Sequence, residues 1–306
     1  MMGEPLTYEK ALAEIVLADE RYVVLTAENR AAIRELPARL GERFVDVGIA
    51  EQTLVGVAAG LALRGRTPIV HALATFLTMR AFEFVRTDAG LANLPVKLVG
   101  GVPGFLSEAN GPTHQALEDV ALMRSIPHMQ VFCPADELDL VLGLPVVLSS
   151  PHPTYIRHNP LQAVVEHSRT CKIGKAEVFA QGYDVTILTY GALFGQAYQA
   201  RNLLQAEGIL TRLVNLRWLK PVDEAEILRA ARQTCLLVTL EDHFLTGGLY
   251  TLVGEILLRH QMMACVLPLA LEERWFQPAL LDDVLEREGL TGPQIAGRIL
   301  DVMRGM

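Results

Sequence analysis

The sequence has 306 residues, of which 51% are hydrophobic and 20% are charged, values typical of a folded protein with about two domains of roughly 150 residues each and unlike those of a disordered chain. Its formal net charge is -8 at pH 7, and it has no run of lysines and arginines, which excludes an ordinary nucleic-acid-binding protein. Its four cysteines lie far apart without a CxxC pair, which disfavours a zinc site and is typical of reduced core residues.

The amino-terminal segment, residues 1–20, is amphipathic and acidic. It lacks the basic start and apolar run of a secretory signal. No stretch of about 18 consecutive apolar residues occurs, so no membrane-spanning helix is predicted. We therefore expect a cytoplasmic protein that binds neither membranes nor nucleic acids.

The first half of the chain alternates short apolar runs with helical patterns. This alternation predicts an α/β fold with a mainly parallel sheet covered by helices on both faces. Strands are predicted at residues 22–27, 43–48, 67–74, 96–101, 130–134 and 154–157. Helices are predicted at residues 51–64, 77–91, 115–124 and 136–144.

A polar, irregular stretch around residues 159–169 interrupts the pattern, and a second α/β unit follows it. We predict a first domain at residues 1–160, a linker at 161–173 and a second domain at 174–306. In the second domain, strands are predicted at residues 176–180, 184–189, 211–215, 236–241 and 264–268, and helices at 196–207, 223–232 and 248–259.

Glu51 follows a predicted strand in the string RFVDVGIAEQ, residues 43–52, and opens a predicted helix. Ligands of such sheets gather where strand ends meet helix starts. From spacing alone, the favoured interpretation of Glu51 is an acidic residue that interacts favourably with the dipole of its helix.

His114 lies in NGPTHQALED, residues 110–119, after a Gly-Pro turn and just before a predicted helix. A histidine in this position can point into a cleft and exchange protons. Taken alone, His114 is better explained as a structural or solvated histidine.

Several strings, in order, resemble the pyrimidine-binding domain of transketolases and the related deoxyxylulose phosphate synthases: DVGIAEQ, ATFLTMRAFEFVR, NLPVKLVGG, GPTHQALED and IPHMQVFCPAD. RWLKPVD and EDHFLTGGL resemble the C-terminal domain of the same superfamily. The resemblance covers about residues 8–300, and several ordered motifs are more specific than one short pattern.

The resemblance implies a thiamine diphosphate enzyme that transfers a two-carbon ketol or acyl unit. In that family the glutamate at the position of Glu51 bonds the cofactor's aminopyrimidine and promotes removal of the thiazolium proton. Leu73, Phe76 and Met79 lie at positions that contact the same ring, two of which often carry aromatic residues in relatives. Glu28 stands where the family usually has an aspartate near the thiazolium.

Substrate-binding positions follow from the same resemblance. His114 matches a histidine that contacts the reacting end of the substrate, where it stabilises or exchanges protons with an alkoxide. Arg157 matches an arginine that binds the substrate phosphate, for which a guanidinium is well suited.

Other substrate-binding positions depart from the family pattern. Pro5 replaces an arginine, Ala32 a serine and Val102 a histidine, while Asn110 replaces an aspartate that contacts the sugar hydroxyl. Each lost charge-assisted hydrogen bond is worth roughly 1.5–3 kcal/mol. We therefore expect a non-standard donor or acceptor.

The GDG motif and later asparagine that build the Mg²⁺ and diphosphate site in this family are absent from the sequence. A buried diphosphate needs a metal and backbone donors. The resemblance therefore implies a separate subunit that carries the GDG…N motif and the Mg²⁺ ligands, in an α₂β₂ assembly with the active site at an interface.

Two other functions stay open: the β subunit of a 2-oxo acid dehydrogenase, which shares the two-domain layout, and a scaffold subunit without turnover. In EDHFLTGGL, Asp242 and His243 are neighbours on a predicted strand and point to opposite faces, so no metal site is predicted there. The Gly247–Gly248 pair is predicted to open a helix at the domain interface. The segment LDDVLEREGL is predicted to be a solvated helix.

Overall fold

The computed structural model describes residues 7–306, and the strands within that range form two sheets. The strands are β1 (Tyr22–Thr26), β2 (Phe44–Asp46), β3 (Thr67–Leu73), β4 (Lys97–Gly101), β5 (Gln130–Phe132), β6 (Thr154–Arg157), β7 (Glu177–Ala180), β8 (Val185–Thr189), β9 (Thr211–Asn215), β10 (Trp218–Lys220), β11 (Leu236–Phe244) and β12 (Val266–Leu271). The first sheet has the order β10-β5-β6-β4-β3-β1-β2 and the second β12-β11-β8-β9-β7. All neighbours are parallel except β10 with β5 and β7 with β9.

Helices cover both sheets. They are α1 (Tyr8–Ala18), α2 (Leu36–Leu40), α3 (Glu51–Leu63), α4 (Phe82–Phe84), α5 (Asp119–Ser125), α6 (Glu137–Ser149), α7 (Phe194–Ala206), α8 (Glu224–Gln233), α9 (Leu249–Arg259), α10 (Leu281–Arg287) and α11 (Gly292–Gly305). Two π-helical segments, Phe76–Arg80 and Val85–Leu91, flank α4. The side chains of Thr7, Asp136 and Asp223 cap α1, α6 and α8 by accepting first-turn N–H hydrogen bonds.

The central strands are buried on both faces. All five residues of β1 (YVVLT) and of β8 (VTILT) are buried, as expected when helices cover both sides of a parallel sheet. Continuous apolar runs, rather than alternating ones, therefore mark the strands in the sequence. The interpretation as two α/β units, each with a mainly parallel sheet, is confirmed.

Helices α1, α2 and α11 were not predicted, and three of the predicted helices differ from those in the structure. The helix predicted at 115–124 begins only at Asp119, because Ala116 pairs with Gly104 in an isolated β-bridge and cannot be helical. Helix α6 continues to Ser149 through Pro145, five residues beyond the prediction. The helix predicted at 77–91 is present but is split by its π-helical turns. The helix predicted to follow Gly248 is confirmed as α9, and the solvated helix as α10.

Strand β10 was not predicted, and it links the two units. It lies in the motif RWLKPVD, after the third strand of the second sheet along the chain, yet it pairs with β5 at the edge of the first sheet. The Trp218 ring packs on Phe132 with centroids 4.8 Å apart, and Cys133 N–H donates to the Arg217 carbonyl at 2.7 Å. Strand β10 lies in the second unit along the chain but belongs to the first sheet in space. The boundaries 1–160, 161–173 and 174–306 therefore stay a prediction.

Candidate functional site

Glu51 is the first residue of α3 and lies where β2 meets that helix. The chain turns at Gly48, whose φ of 75° lies in the left-handed region that glycine adopts without strain. The Asp46 carboxylate stabilises the turn by accepting hydrogen bonds from the N–H groups of Gly48 at 2.9 Å and Glu28 at 3.1 Å. Glu51 is only 3% exposed.

Arg80 pairs with the Glu51 carboxylate, its Nη1 donating to Oε2 at 3.1 Å. The same guanidinium lies over the Phe76 ring, with Cζ 4.1 Å from the ring centroid. The Phe76 ring packs edge-on against the His114 ring at a centroid distance of 5.0 Å. We call Glu51, Arg80, Phe76 and His114 the Glu51 cluster. It brings together three of the residues predicted from the sequence.

Leu73, Phe76 and Met79 are all partly buried, whereas Leu77 and Thr78 between them are buried. Leu73 ends β3, and the other two lie in the first π-helical segment. The three apolar side chains therefore keep part of their surface accessible along the segment that also carries Arg80.

His114 lies in a turn that Gly111 organises. The Gly111 carbonyl accepts hydrogen bonds from the N–H groups of His114 at 2.9 Å and Gln115 at 3.1 Å. The His114 carbonyl accepts a hydrogen bond from Thr75 Oγ1 at 2.7 Å, which ties the turn to the π-helical segment. Its ring Nδ1 lies 2.9 Å from Thr113 Oγ1. Within residues 7–306, Nε2 has no hydrogen-bond partner, so this nitrogen is available to a ligand.

Three other predicted positions lie in loops that follow β1 and β4. Glu28 is exposed, Val102 is partly buried, and both have positive φ, 60° and 47°. That conformation is strained for a β-branched residue such as Val102. Asn110 is exposed, and its Nδ2 donates to the Ser107 carbonyl at 3.0 Å. Among residues 7–306, none of these three side chains forms a hydrogen bond, ion pair or ring contact with the Glu51 cluster.

Two further altered positions lie elsewhere. Pro5 is outside the described residues. Ala32 is partly buried against the apolar cluster that contains Ile33 and Leu36. Its methyl group therefore contributes to packing and offers no polar group to a substrate.

Arg157, which the resemblance predicts to bind the substrate phosphate, lies in a buried ion-pair network. Its side chain is 2% exposed. Nε donates to Asp119 Oδ2 at 2.9 Å and Nη1 to Asp242 Oδ1 at 2.7 Å. Burial disfavours the charge, but the two carboxylates outweigh it and raise the pKa of Arg157. Because its charge is already paired with carboxylates from both α/β units, we propose a structural role for Arg157, and its role as a phosphate ligand stays a prediction.

Asp242 and His243 face different partners, as expected for neighbours on a strand. Asp242 pairs with Arg157, whereas His243 Nε2 accepts a hydrogen bond from Ala121 N–H at 3.3 Å. Both contacts join the second unit to the first. The string EDHFLTGGL therefore contributes two residues to the junction between the units.

Glu241, the first residue of that string, caps α9. Its carboxylate accepts hydrogen bonds from the N–H groups of Leu249 at 2.5 Å and Tyr250 at 2.9 Å. Burial raises the pKa of Glu241 to about 8. A Cβ added at Gly248 would lie 2.1 Å from Glu241 Oε2, so this close approach requires glycine.

A second polar cluster lies at the linker, where Asp139, His167 and Glu177 have metal-ligand spacing. His167 Nε2 lies 2.7 Å from Asp136 Oδ2, and Nδ1 lies 2.9 Å from Glu177 Oε2. Burial disfavours the charged ring, but these carboxylates raise the pKa of His167 to about 9. Arg217 adds a second cation that contacts Asp139 and Glu177. A protonated histidine beside an arginine does not fit a metal site, and we assign the cluster to structure.

Sequence reasoning missed Arg80 and Asp119. Arg80 follows Phe76 by four residues, a helical spacing at which an arginine can lie over an aromatic ring, so a local signal existed. Asp119 meets Arg157 from 38 residues away in the chain. No short-range pattern indicates that pair.

Both halves of the chain match known families. Residues 6–160 match the family described as "Transketolase, pyrimidine binding domain", and residues 174–295 match "Transketolase, C-terminal domain". Within residues 7–306, every helix is too short or too polar to cross a membrane.

The chain is also similar to individual proteins. It is 35% identical to a 6-deoxy-6-sulfo-D-fructose transketolase subunit from Clostridium sp. (strain MSTE9), over 94% of this chain and 91% of that protein. It is 33% identical to the 1-deoxy-D-xylulose-5-phosphate synthase of Dictyoglomus thermophilum, over 97% of this chain but only 48% of that protein. The chain thus spans about half the length of such relatives.

One solved structure is described as a split gene transketolase, inactive beta4 tetramer. It is 33% identical and superposes with a TM-score of 0.88 over 97% of both chains. On the family matches and the identity to these relatives, the chain belongs to the transketolase family.

Proposed function

We propose that this chain is the cofactor-activating subunit of a thiamine diphosphate-dependent enzyme that transfers a two-carbon ketol or acyl unit from a ketose to an acceptor. The observation that carries the proposal is the buried carboxylate of Glu51, 3% exposed, which pairs with Arg80. Arg80 lies over the Phe76 ring, and that ring packs against His114. The transketolase-type relatives support the same reaction class.

The residues of the Glu51 cluster fit the pyrimidine ring of the cofactor. An aminopyrimidine is a flat ring with polar nitrogens at its edge, so it needs an acid at that edge and apolar or aromatic groups at its faces. Glu51 provides the carboxylate, and Phe76, Leu73 and Met79 provide partly accessible apolar surface. When bound, thiamine diphosphate supplies the electron sink for the chemistry.

Each residue of this chain then has a definite task. Glu51 holds or shares a proton at its carboxylate with a ring nitrogen, and because water is largely excluded there, the hydrogen bond is stronger than it would be in solvent. Phe76 limits where the ring can lie. His114, with Nε2 free of recorded partners in residues 7–306, exchanges a proton with a substrate oxygen.

We propose that a separate subunit with a GDG…N motif supplies the Mg²⁺ and diphosphate ligands, in an α₂β₂ assembly. The sequence contains no GDG string. The most similar proteins described above include one named as a transketolase subunit and one named as a split gene transketolase. These names support a two-chain enzyme.

The donor is proposed to be a ketose other than the common sugar phosphates. Ala32, Val102 and Pro5 lack the polar groups that the family pattern has at these positions, and Arg157 is neutralised by Asp119 and Asp242. A phosphate would find few charged donors here. The relative named for 6-deoxy-6-sulfo-D-fructose supports a substrate with a different terminal group.

The 2-oxo acid dehydrogenase alternative has less support, because the relatives described above are a transketolase subunit and a deoxyxylulose phosphate synthase. A scaffold subunit without turnover predicts the same fold. A measurement of the activity of the assembled enzyme distinguishes a scaffold subunit from a catalytic one.

The decisive experiment compares wild type with Glu51→Gln after each is purified together with the partner subunit. We expect ketol transfer to fall roughly 10²- to 10⁴-fold, because the amide cannot share a proton with the ring. Glu83→Gln is the matched control, since Glu83 is an exposed acid of the neighbouring helical segment. Undiminished turnover in Glu51→Gln would refute the mechanism, and no turnover by the wild-type complex with any ketose would favour the scaffold.

A further inference from the structure

Arg80 contacts Glu51 and Phe76, the two residues that are proposed to bind the pyrimidine ring of the cofactor. Its Nη1 donates to Glu51 Oε2 at 3.1 Å, and its Cζ lies 4.1 Å from the centroid of the Phe76 ring. One side chain therefore engages both the acid and the aromatic face. Arg80 itself is 44% exposed, whereas Glu51 is 4% exposed at its side chain.

The chemistry of the guanidinium explains why it can use both contacts at once. It is a flat cation with N–H donors at its edge and a face that stacks on aromatic rings. A protonated aminopyrimidine is likewise a flat, N–H-bearing ring system. The two groups therefore require the same surroundings, namely a carboxylate at the edge and an aromatic ring at the face.

The backbone holds Arg80 in this position. Phe76 and Arg80 are the first and last residues of one π-helical segment, and the Ala81 N–H donates to the Phe76 carbonyl at 3.0 Å. The neighbours Leu77 and Thr78 are buried, which anchors the segment. The long, half-exposed side chain of Arg80 can swing into solvent without moving that backbone.

We propose that Arg80 competes with the pyrimidine ring of thiamine diphosphate for Glu51 and Phe76, so that it sets the affinity of the subunit for its cofactor. The inference rests on the proposed function. Binding of the cofactor replaces the Arg80 contacts, and the arginine moves into solvent. Until then, its cation neutralises the buried Glu51 carboxylate, which would otherwise lie in a poorly hydrated position without a partner.

The size of the effect follows from the two contacts that are lost. A partly exposed ion pair and an exposed cation–π contact are each weak, and together they stabilise the competing arrangement enough to reduce cofactor affinity about threefold to tenfold. Removing the guanidinium should therefore tighten cofactor binding by that factor.

The experiment measures the Kd of thiamine diphosphate at saturating Mg²⁺ by calorimetry, for the complex of this chain with its partner subunit. Wild type is compared with Arg80→Ala, Arg80→Lys and the control Arg86→Ala, which removes an exposed arginine six residues further along. Arg80→Ala should bind about threefold to tenfold more tightly, whereas Arg86→Ala should match wild type. Inorganic pyrophosphate, which has no pyrimidine, should bind equally to all four proteins.

A double variant tests whether the effect passes through Glu51. In a Glu51→Gln background, Arg80→Ala should change the Kd by less than it does in wild type, because the ion pair is already lost. An unchanged or weaker Kd in Arg80→Ala overturns the competition. If Glu51→Gln nevertheless weakens cofactor binding in that case, the proposed function stands without it. If the wild-type complex binds no thiamine diphosphate, the proposed function itself fails.

Discussion

Replacing Arg157 with methionine tests whether this residue is a structural cation or a substrate ligand. The side chain is 2% exposed and bonds Asp119 at 2.9 Å and Asp242 at 2.7 Å. Methionine has similar length and no charge. The substitution therefore leaves two buried carboxylates without their counter-ion while it keeps much of the packing volume.

The expected cost is large. Breaking a buried ion pair by removing one partner typically costs about 3–5 kcal/mol, because the remaining charge stays desolvated. For a domain of about 150–250 residues, each kcal/mol lowers the melting temperature by about 2–4 °C. We therefore expect Arg157→Met to melt roughly 10 °C below wild type. Burial already raises the pKa of Asp242, so without Arg157 that carboxyl group should take up a proton more readily in the folded state, and the deficit should shrink as the pH falls.

Thermal unfolding followed by circular dichroism gives the first measurement, at acidic and at mildly alkaline pH. A triple variant that adds Asp119→Asn and Asp242→Asn is the control, because it removes the uncompensated charges and should recover part of the loss. The reasoning is refuted if Arg157→Met melts within about 2 °C of wild type but raises the KM for the ketose more than tenfold. That result would show that Arg157 binds the substrate.

Two further changes test the linker cluster and the start of α9. The stability that protonated His167 contributes is fully present below its ordinary pKa of 6.5 and is lost as the pH rises through about 9; the difference in melting temperature between wild type and His167→Gln should therefore shrink over that range, and a constant difference would contradict the assignment. Gly248→Ala should lower the free energy of unfolding by more than about 1 kcal/mol, because the added methyl group would meet the Glu241 carboxylate at 2.1 Å. Gly254→Ala, in the same helix with open space around it, should be neutral or stabilising by up to about 1 kcal/mol; equal losses in both glycine variants would show that steric contact is not the cause.

The strands were predictable because each is a short, continuous apolar run, and burial on both faces of a parallel sheet selects such runs. Strand β10 could not be predicted in this way, because it has only three residues and one of them is a lysine. The ammonium group of that lysine donates to the Arg124 carbonyl at 2.8 Å. The position of β10 depends on a partner strand from the other unit. A pattern confined to neighbouring residues contains no information about that partner.

The same distinction applies to the candidate site. Glu51, Phe76 and His114 lie in ordered motifs, and the resemblance placed all three in one site. In the structure Phe76 contacts His114, and Arg80 links Phe76 to Glu51. Arg157 lies in a motif as well, but its role depends on Asp119 and Asp242, which come from distant segments. A motif match predicts where a residue lies in a fold. What that residue binds depends on the charged groups around it, and for Arg157 these are Asp119 and Asp242.

The Arg157 network also places the second unit against the loop that carries His114. The loop that leads from Val102 to His114 passes over the network at Gly104, where an added Cβ would lie 1.9 Å from Asp242 Oδ2. Gly104 N–H in turn donates to the Ala116 carbonyl at 3.0 Å, just beyond His114. Because the loop lies against Asp242 of the second unit, we expect a shift of that unit to change where His114 lies relative to Phe76. Loss of the network should therefore impair catalysis through the position of His114, even though no residue of the second unit belongs to the Glu51 cluster.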